Sequence, residues 1–310
     1  MKIEKVALIG AGAVGAYFIW GLSDKLGENF TVVANGSRKN KLLNNNIIIN
    51  DKEYLLNVAE ASVIGHVDLI LVACKQDALL QVVEDIKPLI GADTMVISLL
   101  NGVTSEEIIG KSIGVEHMLY SVMRIAAERV DNRIKFDPDA TLGVYVGERD
   151  IKEPTERILA VEEFFKNTGI HYTYVSDIEN EIWTKYAANI SQNLPQAILN
   201  VGFGAYIDSD HVRTIAKKLW KEVAAVARAK GIEIGDEFRQ FAGSNMKARF
   251  STLQDLDAGR HTEIEIFAGD MMRMGKELGV SVPYCEYTYH LIKALEEKND
   301  GKFDYETGKN

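Results

Sequence analysis

The chain has 310 residues, 46% of them hydrophobic, and a formal net charge of −10. That length exceeds what one hydrophobic core ordinarily organises, so two domains are expected, and the acidic balance, with no basic block to override it, excludes a nucleic-acid partner. Two cysteines without C-x-x-C spacing, Cys74 and Cys285, and six scattered histidines exclude a disulfide framework and supply no metal site, so the metal reading is none and the expected compartment is the cytoplasm.

The first element is the apolar run of residues 6–9, a short buried strand, followed at once by Gly10-Ala11-Gly12-Ala13-Val14-Gly15 and a helix over residues 13–22. In a strand-turn-helix unit the first glycine permits the tight turn, the second lets the backbone approach a diphosphate, and the third lets helix and strand pack closely. The diphosphate then meets unpaired N–H groups at a helix N-terminus. The competing reading is a secretory signal, because Lys2 and Lys5 precede seventeen uncharged residues. Four glycines interrupt that stretch and Glu4 dilutes its basic end, so the nucleotide turn is preferred, and no later segment reaches membrane-spanning length.

Strand and helix then alternate. Residues 30–34, 69–73 and 95–99 read as strands, residues 76–90 as a helix, and residues 42–57 as an inserted hairpin turning at Asn50-Asp51. From residue 117 to 147 the texture is extended, with turn signals at Asp131-Asn132 and Asp137-Pro138, and predicts extra strands on the sheet edge. A helix over 153–167 and a strand over 170–175 complete a Rossmann-type doubly wound α/β sheet, residues 1–176. Beyond it the pattern becomes helical, over 177–199, 208–230, 236–247, 262–278 and 283–297, giving an all-helical second domain of residues 177–310 whose tail from 299 is polar and loose.

At the end of the second strand an NAD site carries a carboxylate about twenty residues after the glycines. Here Asn35-Gly36-Ser37-Arg38-Lys39 stands instead, which favours the 2′-phosphate of NADP(H), although a solvated basic loop would read the same way. In the helical half, Lys185, Asn189 and Asn193 recur every four residues and share one helix face. The row could be a solvent face; apolar neighbours and Pro195, expected to bend or end the helix, favour a row facing a cleft, where Lys185 would donate a proton and the amides would orient a polar substrate. Farther on, Ser251-Thr-Leu-Gln-Asp255 precedes Arg260-His-Thr-Glu263-Ile-Glu265, in which Thr262 can cap a helix. Glu263 is there either an acceptor for ligand hydroxyls or an ordinary first-turn charge.

Together the opening G-A-G-A-V-G, Asn101-Gly102 after the fourth strand, W-T-K-Y-A-A-N-I-S-Q-N from Trp183 to Asn193, and S-T-L-Q-D with R-H-T-E-I-E from Ser251 to Glu265 resemble the ketopantoate reductase family, over about residues 3 to 297. The resemblance implies NADPH-dependent reduction of 2-dehydropantoate at its C2 carbonyl to pantoate, for pantothenate and coenzyme A. Lys185 matches the general acid, and Asn101 the residue beside nicotinamide and substrate. Asn189, Asn193 and Ser251 match substrate contacts, Glu263 an acidic anchor between cofactor ribose and substrate, Lys75 a lysine near the cofactor, and Ala127 a backbone contact. Leu100 stands where the family commonly has a polar residue, and Phe203-Gly204 where some members place a substrate Asn that Asn200 would replace, so the resemblance leaves room for a related 2-oxo acid. Two other classes stay open: a β-hydroxyacid dehydrogenase, against which the R-H-T-E-I segment speaks, and a non-catalytic NADP(H) sensor, which has no use for a proton donor. A small-molecule substrate is the expected partner, with neither nucleic acid nor membrane, and a homodimer is the assembly considered although no sequence signal fixes it.

Overall fold

The computed structural model of the chain describes residues 1–239 and 245–305. These divide into two units, Met1–Glu181 and Ile182–Asn310, the division falling inside one helix, Ile178–Ala188.

In the first unit the short apolar runs become strands β1 (Val6–Ile9), β2 (Phe30–Val33), β3 (Ile47–Ile49), β4 (Lys52–Tyr54), β5 (Val58–Ala59), β6 (Leu69–Val72), β7 (Met95–Ser98), β8 (Met118–Arg124), β9 (Ala127–Val130), β10 (Arg133–Phe136), β11 (Gly143–Gly147) and β12 (Tyr172–Tyr174). Eight of them form one sheet in the order β12-β11-β8-β7-β6-β1-β2-β5, parallel from β5 through β8 and antiparallel only between β8 and β11. The central strands are buried along their whole length because both faces are covered. Alternation sorts their side chains: Val6 and Leu8 pack with Leu69, Leu71 and Ile97 on one face, and Ala7 and Ile9 with Ile70, Val72 and Val96 on the other. The chain order reverses between β1 and β6, where an open α/β sheet splays its connections and ligands bind.

The hairpin at Asn50-Asp51 forms, both residues taking the left-handed conformation that a two-residue turn demands. The expectation that residues 117–147 simply extend the sheet is corrected. β8 and β11 do so, but β9 and β10 join the hairpin in a second, four-stranded sheet, β4-β3-β10-β9. Its register puts Ile134 and Phe136 inward, and Phe136 meets Tyr17 and Trp20 of the first helix edge-on at 5.4 and 5.7 Å. Burying these rings outweighs pairing β10 to an edge of the main sheet.

The second unit is helical: Ile178–Ala188 continuing through Leu194–Leu199, then Ala205–Asp208, Asp210–Ala229, Ser251–Asp257, Asp270–Leu278 and Pro283–Asn299. Ser209 caps the longest of these, its Oγ accepting from the Val212 N–H. Pro283–Asn299 opens without a cap of its own; buried Glu222 supplies one, accepting from the N–H groups of Tyr284 and Cys285 at 2.8 Å each. The helix expected over 236–247 is not formed by its described residues 236–239 and 245–247, and its remaining residues, 240–244, lie outside the described ones, as do 306–310 of the tail. No helix among the described residues is long and apolar enough to cross a membrane.

Candidate functional site

The glycine turn follows β1 as the sequence requires. Gly10 has φ +102°, and a Cβ there would lie 2.4 Å from the Ala73 carbonyl oxygen; one on Gly15 would lie 1.9 Å from the Gly10 oxygen. Both are demanded by the fold itself. Gly12 differs: the nearest atom to its missing Cβ is Arg129 Nη1 at 3.9 Å, so its bare backbone borders open space. The helix Ala13–Leu26 begins here with Gly12 as its cap and no acidic side chain in the first turn, leaving its N–H groups directed at that space. Such a cradle fits a dinucleotide diphosphate.

At the end of β2 the helix Gly36–Asn44 also starts without an acid or a side-chain cap, with Arg38 exposed in its first turn. The two cations read from the sequence separate here, because Lys39 Nζ pairs with Glu60 at 3.2 Å and only Arg38 is left to meet an added phosphate. Lys75 is exposed in the turn after β6, Asn101 is half-buried after β7, and Ala127 is the first residue of β9, paired with Phe136. Residues 10–15, 38 and 75 thus sit on connections leaving the same end of β1, β2 and β6. An open groove of about 500 Å³ lies elsewhere in this unit, beside β12 among Glu162, Lys166, His171 and Tyr172, and contains none of the candidate residues.

In the second unit, Lys185 and Asn189 are half-buried and Asn193 is only 7% exposed. Pro195 does not end the helix, which runs on to Leu199. Instead residues Asn189–Asn193 widen into a π turn. Proline offers no N–H to the carbonyl four residues back and its ring crowds that carbonyl; the wider turn accommodates both. A second π turn, Glu265–Gly269, follows Glu263. Tyrosine hydroxyls secure both: Tyr206 donates to the Gln192 carbonyl, and Tyr186 donates to those of Ile266 and Phe267 at 2.9 and 2.6 Å. Burial raises the pKa of Tyr186 well above its ordinary value, so it remains a donor. Tyr186 adjoins Lys185, so this bond ties the helix of the lysine to the segment of Glu263.

Asn193 Nδ2 donates to Ser251 Oγ at 3.4 Å, bringing two sequence-predicted residues together. Behind them buried Gln196 donates to the Ala248 carbonyl at 3.0 Å and accepts from Phe250 N–H at 2.6 Å, fixing the backbone that leads into Ser251. Glu296, 2% exposed, does the same for Glu263: its Oε1 accepts from both the N–H and the Oγ1 of Thr262 at 2.7 Å, and its Oε2 from Lys293 at 2.9 Å. Thr262 Oγ1 in turn accepts from the Ile264 N–H at 3.2 Å, the cap read from the sequence. Burial would raise the pKa of Glu296, but the bonds from Lys293 and Thr262 prevail and hold it low. Asn200 closes its helix in the left-handed conformation with its amide oxygen bound by Arg249 at 2.6 Å, a poor arrangement for a substrate contact. Gln196 and Glu296 escaped sequence reading, because each acts from a separate helix on a backbone 54 or 34 residues away. Arg129 escaped too, although it lies two residues after Ala127 and therefore on the same face of β9.

A doubly wound sheet with a glycine cradle at its reversal point, followed by a helical unit with a lysine and a carboxylate ahead of two π turns, the first of which carries two amides, defines a dinucleotide-dependent oxidoreductase. Residues 6–148 match the profile of ketopantoate reductase PanE/ApbA and residues 177–296 that of its C-terminal part; the chain belongs to the ketopantoate reductase family. It is 28% identical to the 2-dehydropantoate 2-reductase of Archaeoglobus fulgidus over 96% of this chain and 99% of that protein. It is 26% identical to the uncharacterized oxidoreductase YkpB of Bacillus subtilis over 94% and 99%. The complex of D-mandelate dehydrogenase with NADH superposes with a TM-score of 0.76 at 25% identity, covering 95% of this chain and 99% of that one.

Proposed function

We propose that the protein reduces 2-dehydropantoate to pantoate with NADPH, in the supply of pantothenate and coenzyme A. The first unit is the NADP-binding domain and the second the substrate and catalytic domain. The observation that carries the reading is the polar set of Lys185, Asn189, Asn193 and Ser251, one ammonium, two amides and a hydroxyl, of which Asn193 and Ser251 are hydrogen-bonded to each other. Such a set complements a substrate with a carboxylate, a ketone and a hydroxyl. The main-chain N–H groups of residues 10–15 would hold the cofactor diphosphate and Arg38 the 2′-phosphate, with Lys75, Asn101, the Ala127 backbone and Glu263 as further cofactor contacts.

Bound NADPH supplies a hydride. Lys185 gives its Nζ proton to the carbonyl oxygen, so ketone, hydride and proton together make the alcohol. Asn101, Asn189, Asn193 and Ser251 would be the substrate contacts. Glu263, beside a helix start, would accept hydrogen bonds from hydroxyls of cofactor and substrate.

A second reading, a reductase of a different 2-oxo acid, is favoured by the likeness to D-mandelate dehydrogenase with NADH and by the engagement of Asn200 with Arg249. NADPH and NADH oxidation assayed against 2-dehydropantoate, its branched 2-oxo acid analogues and phenylglyoxylate separates the two. Highest kcat/KM with NADPH and 2-dehydropantoate is expected; highest kcat/KM with NADH or with an aromatic 2-oxo acid overturns the first reading.

A further inference from the structure

We infer that Arg129, on the small four-stranded sheet, is a ligand for the diphosphate bridge of the cofactor, closing the glycine turn from the side opposite the helix N-terminus. This rests on the cofactor site proposed above and adds a residue that the family resemblance did not assign. Arg129 belongs to β9, outside the doubly wound sheet, yet its Nη1 reaches the Ala11 carbonyl at 3.3 Å and stands 3.9 Å from the position of a Cβ on Gly12. Its Nε donates to the Asp131 carbonyl at 2.9 Å, which holds the guanidinium plane over the turn. Both partners are neutral carbonyls. Among the described residues neither Arg129 nor Arg38 forms an ion pair.

Two unpaired guanidiniums close enough to influence each other are unfavourable without an anion. Partial burial, and next the charge of Arg38, lower the pKa of Arg129, with Asp131 only partly opposing them. A dinucleotide phosphate carries two anionic groups suited to them. The exposed position of Arg38 after β2 suits the ribose 2′-phosphate, and Arg129, over Ala11 and Gly12, stands where the bridging diphosphate crosses the glycine turn. The small sheet thereby serves the cofactor site, since the hairpin of β3 and β4 and the aromatic contacts of Phe136 hold β9 so that residue 129 overhangs the turn, while Ala127 lies on the same face.

The two roles predict different selectivities. The diphosphate is common to NADPH and NADH, so Arg129→Met should weaken both by the same factor, about ten- to a hundredfold for one charge-assisted contact, whereas Arg38→Ala should weaken NADPH alone. Fluorescence titration of the full chain with NADPH, NADH and ADP-ribose, with circular dichroism to verify folding, reads this directly, and Arg129→Lys should recover part of the loss for all three. Loss confined to NADPH would make Arg129 a second 2′-phosphate ligand, and unchanged affinities would make it a structural tether of the Ala11 carbonyl; either overturns the proposal. Equal loss in Arg129→Met with unchanged selectivity in Arg38→Ala would support the diphosphate role and refute the NADPH assignment. Failure of the unmodified chain to bind any of the three would overturn both.

Discussion

Glu106 offers a measurable consequence of the first unit's core. It is 6% exposed in the first turn of the helix Ser105–Ile113, where Ser105 Oγ donates to its Oε2 at 2.7 Å and the Ser98 and Ser105 hydroxyls meet at 2.8 Å. Burial pushes its carboxyl up to about 7 from 4.5, against hydrogen bonds from Ser105 and the backbone and with help from the charge of Glu107. A carboxyl raised in the folded state gives the native protein the greater proton uptake between those two values, so stability must fall as pH rises through that window. At ~1.36 kcal/mol per pKa unit the ionised group costs the fold about 3 kcal/mol above the window. Glu106→Gln removes the charge and keeps the shape. Its amide must find an acceptor and the helix start loses a favourable anion, so the net gain at about pH 8 should be about 1 to 3 kcal/mol, or roughly 2 to 10 °C in Tm. At about pH 4, below both values, where the carboxyl is largely neutral folded and unfolded alike, the gain should vanish. Thermal unfolding followed by circular dichroism at both pH values checks it. An equal effect at both, or destabilisation at about pH 8 alone, would refute the assignment of a buried, proton-holding carboxyl.

Much of this architecture was legible in the sequence for a simple reason: a strand covered on both faces must be apolar throughout, and residues 6–9, 69–72 and 95–98 are nearly so. The glycines were equally legible, since the tight turn after β1 itself requires Gly10, at φ +102°, and Gly15, whose Cβ would strike the Gly10 carbonyl five residues back. The membership of β9 and β10 was not, because the period-2 pattern of β10 states that one face is buried and not against which sheet, and β9 shows no such alternation. Nor were the π turns: an i, i+4 spacing assumes an unbroken α-helix, and the row from Lys185 to Asn193 crosses into the wider turn at Asn189. Pro195 was the signal, and it admits a bulge as readily as a break. The positioning residues Gln196 and Glu296 were hidden because a buried amide or carboxylate in a helix looks in sequence like any surface polar residue.

Lys185→Ala should lower kcat by about 10² to 10⁴ while NADPH affinity, read by fluorescence, hardly changes, as expected of a proton donor acting in the transition state. Near-normal turnover would refute the role. Asn193→Ala should raise KM more than it lowers kcat, and an effect on kcat alone would speak against a ground-state contact. Glu296→Gln should cost about 1 to 3 kcal/mol near neutral pH by weakening the hold on Thr262 and Lys293. Because the Glu296 carboxyl is held low in the fold, that contribution should fade as pH falls through its folded pKa, and a cost independent of pH in urea unfolding would contradict it. The glycine turn provides the sharpest separation of fold from function. A methyl on Gly15 would lie 1.9 Å from the Gly10 oxygen, both on backbone, so Gly15→Ala forces helix and strand apart and should lower Tm markedly. On Gly12 the nearest atom is the end of a flexible arginine at 3.9 Å, so Gly12→Ala should leave Tm nearly unchanged. Its methyl would occupy the space proposed for the diphosphate, and NADPH and NADH should both bind at least about tenfold more weakly. Since folding is spared, cofactor titration of Gly12→Ala tests the cradle alone, and undiminished affinity would place the diphosphate elsewhere.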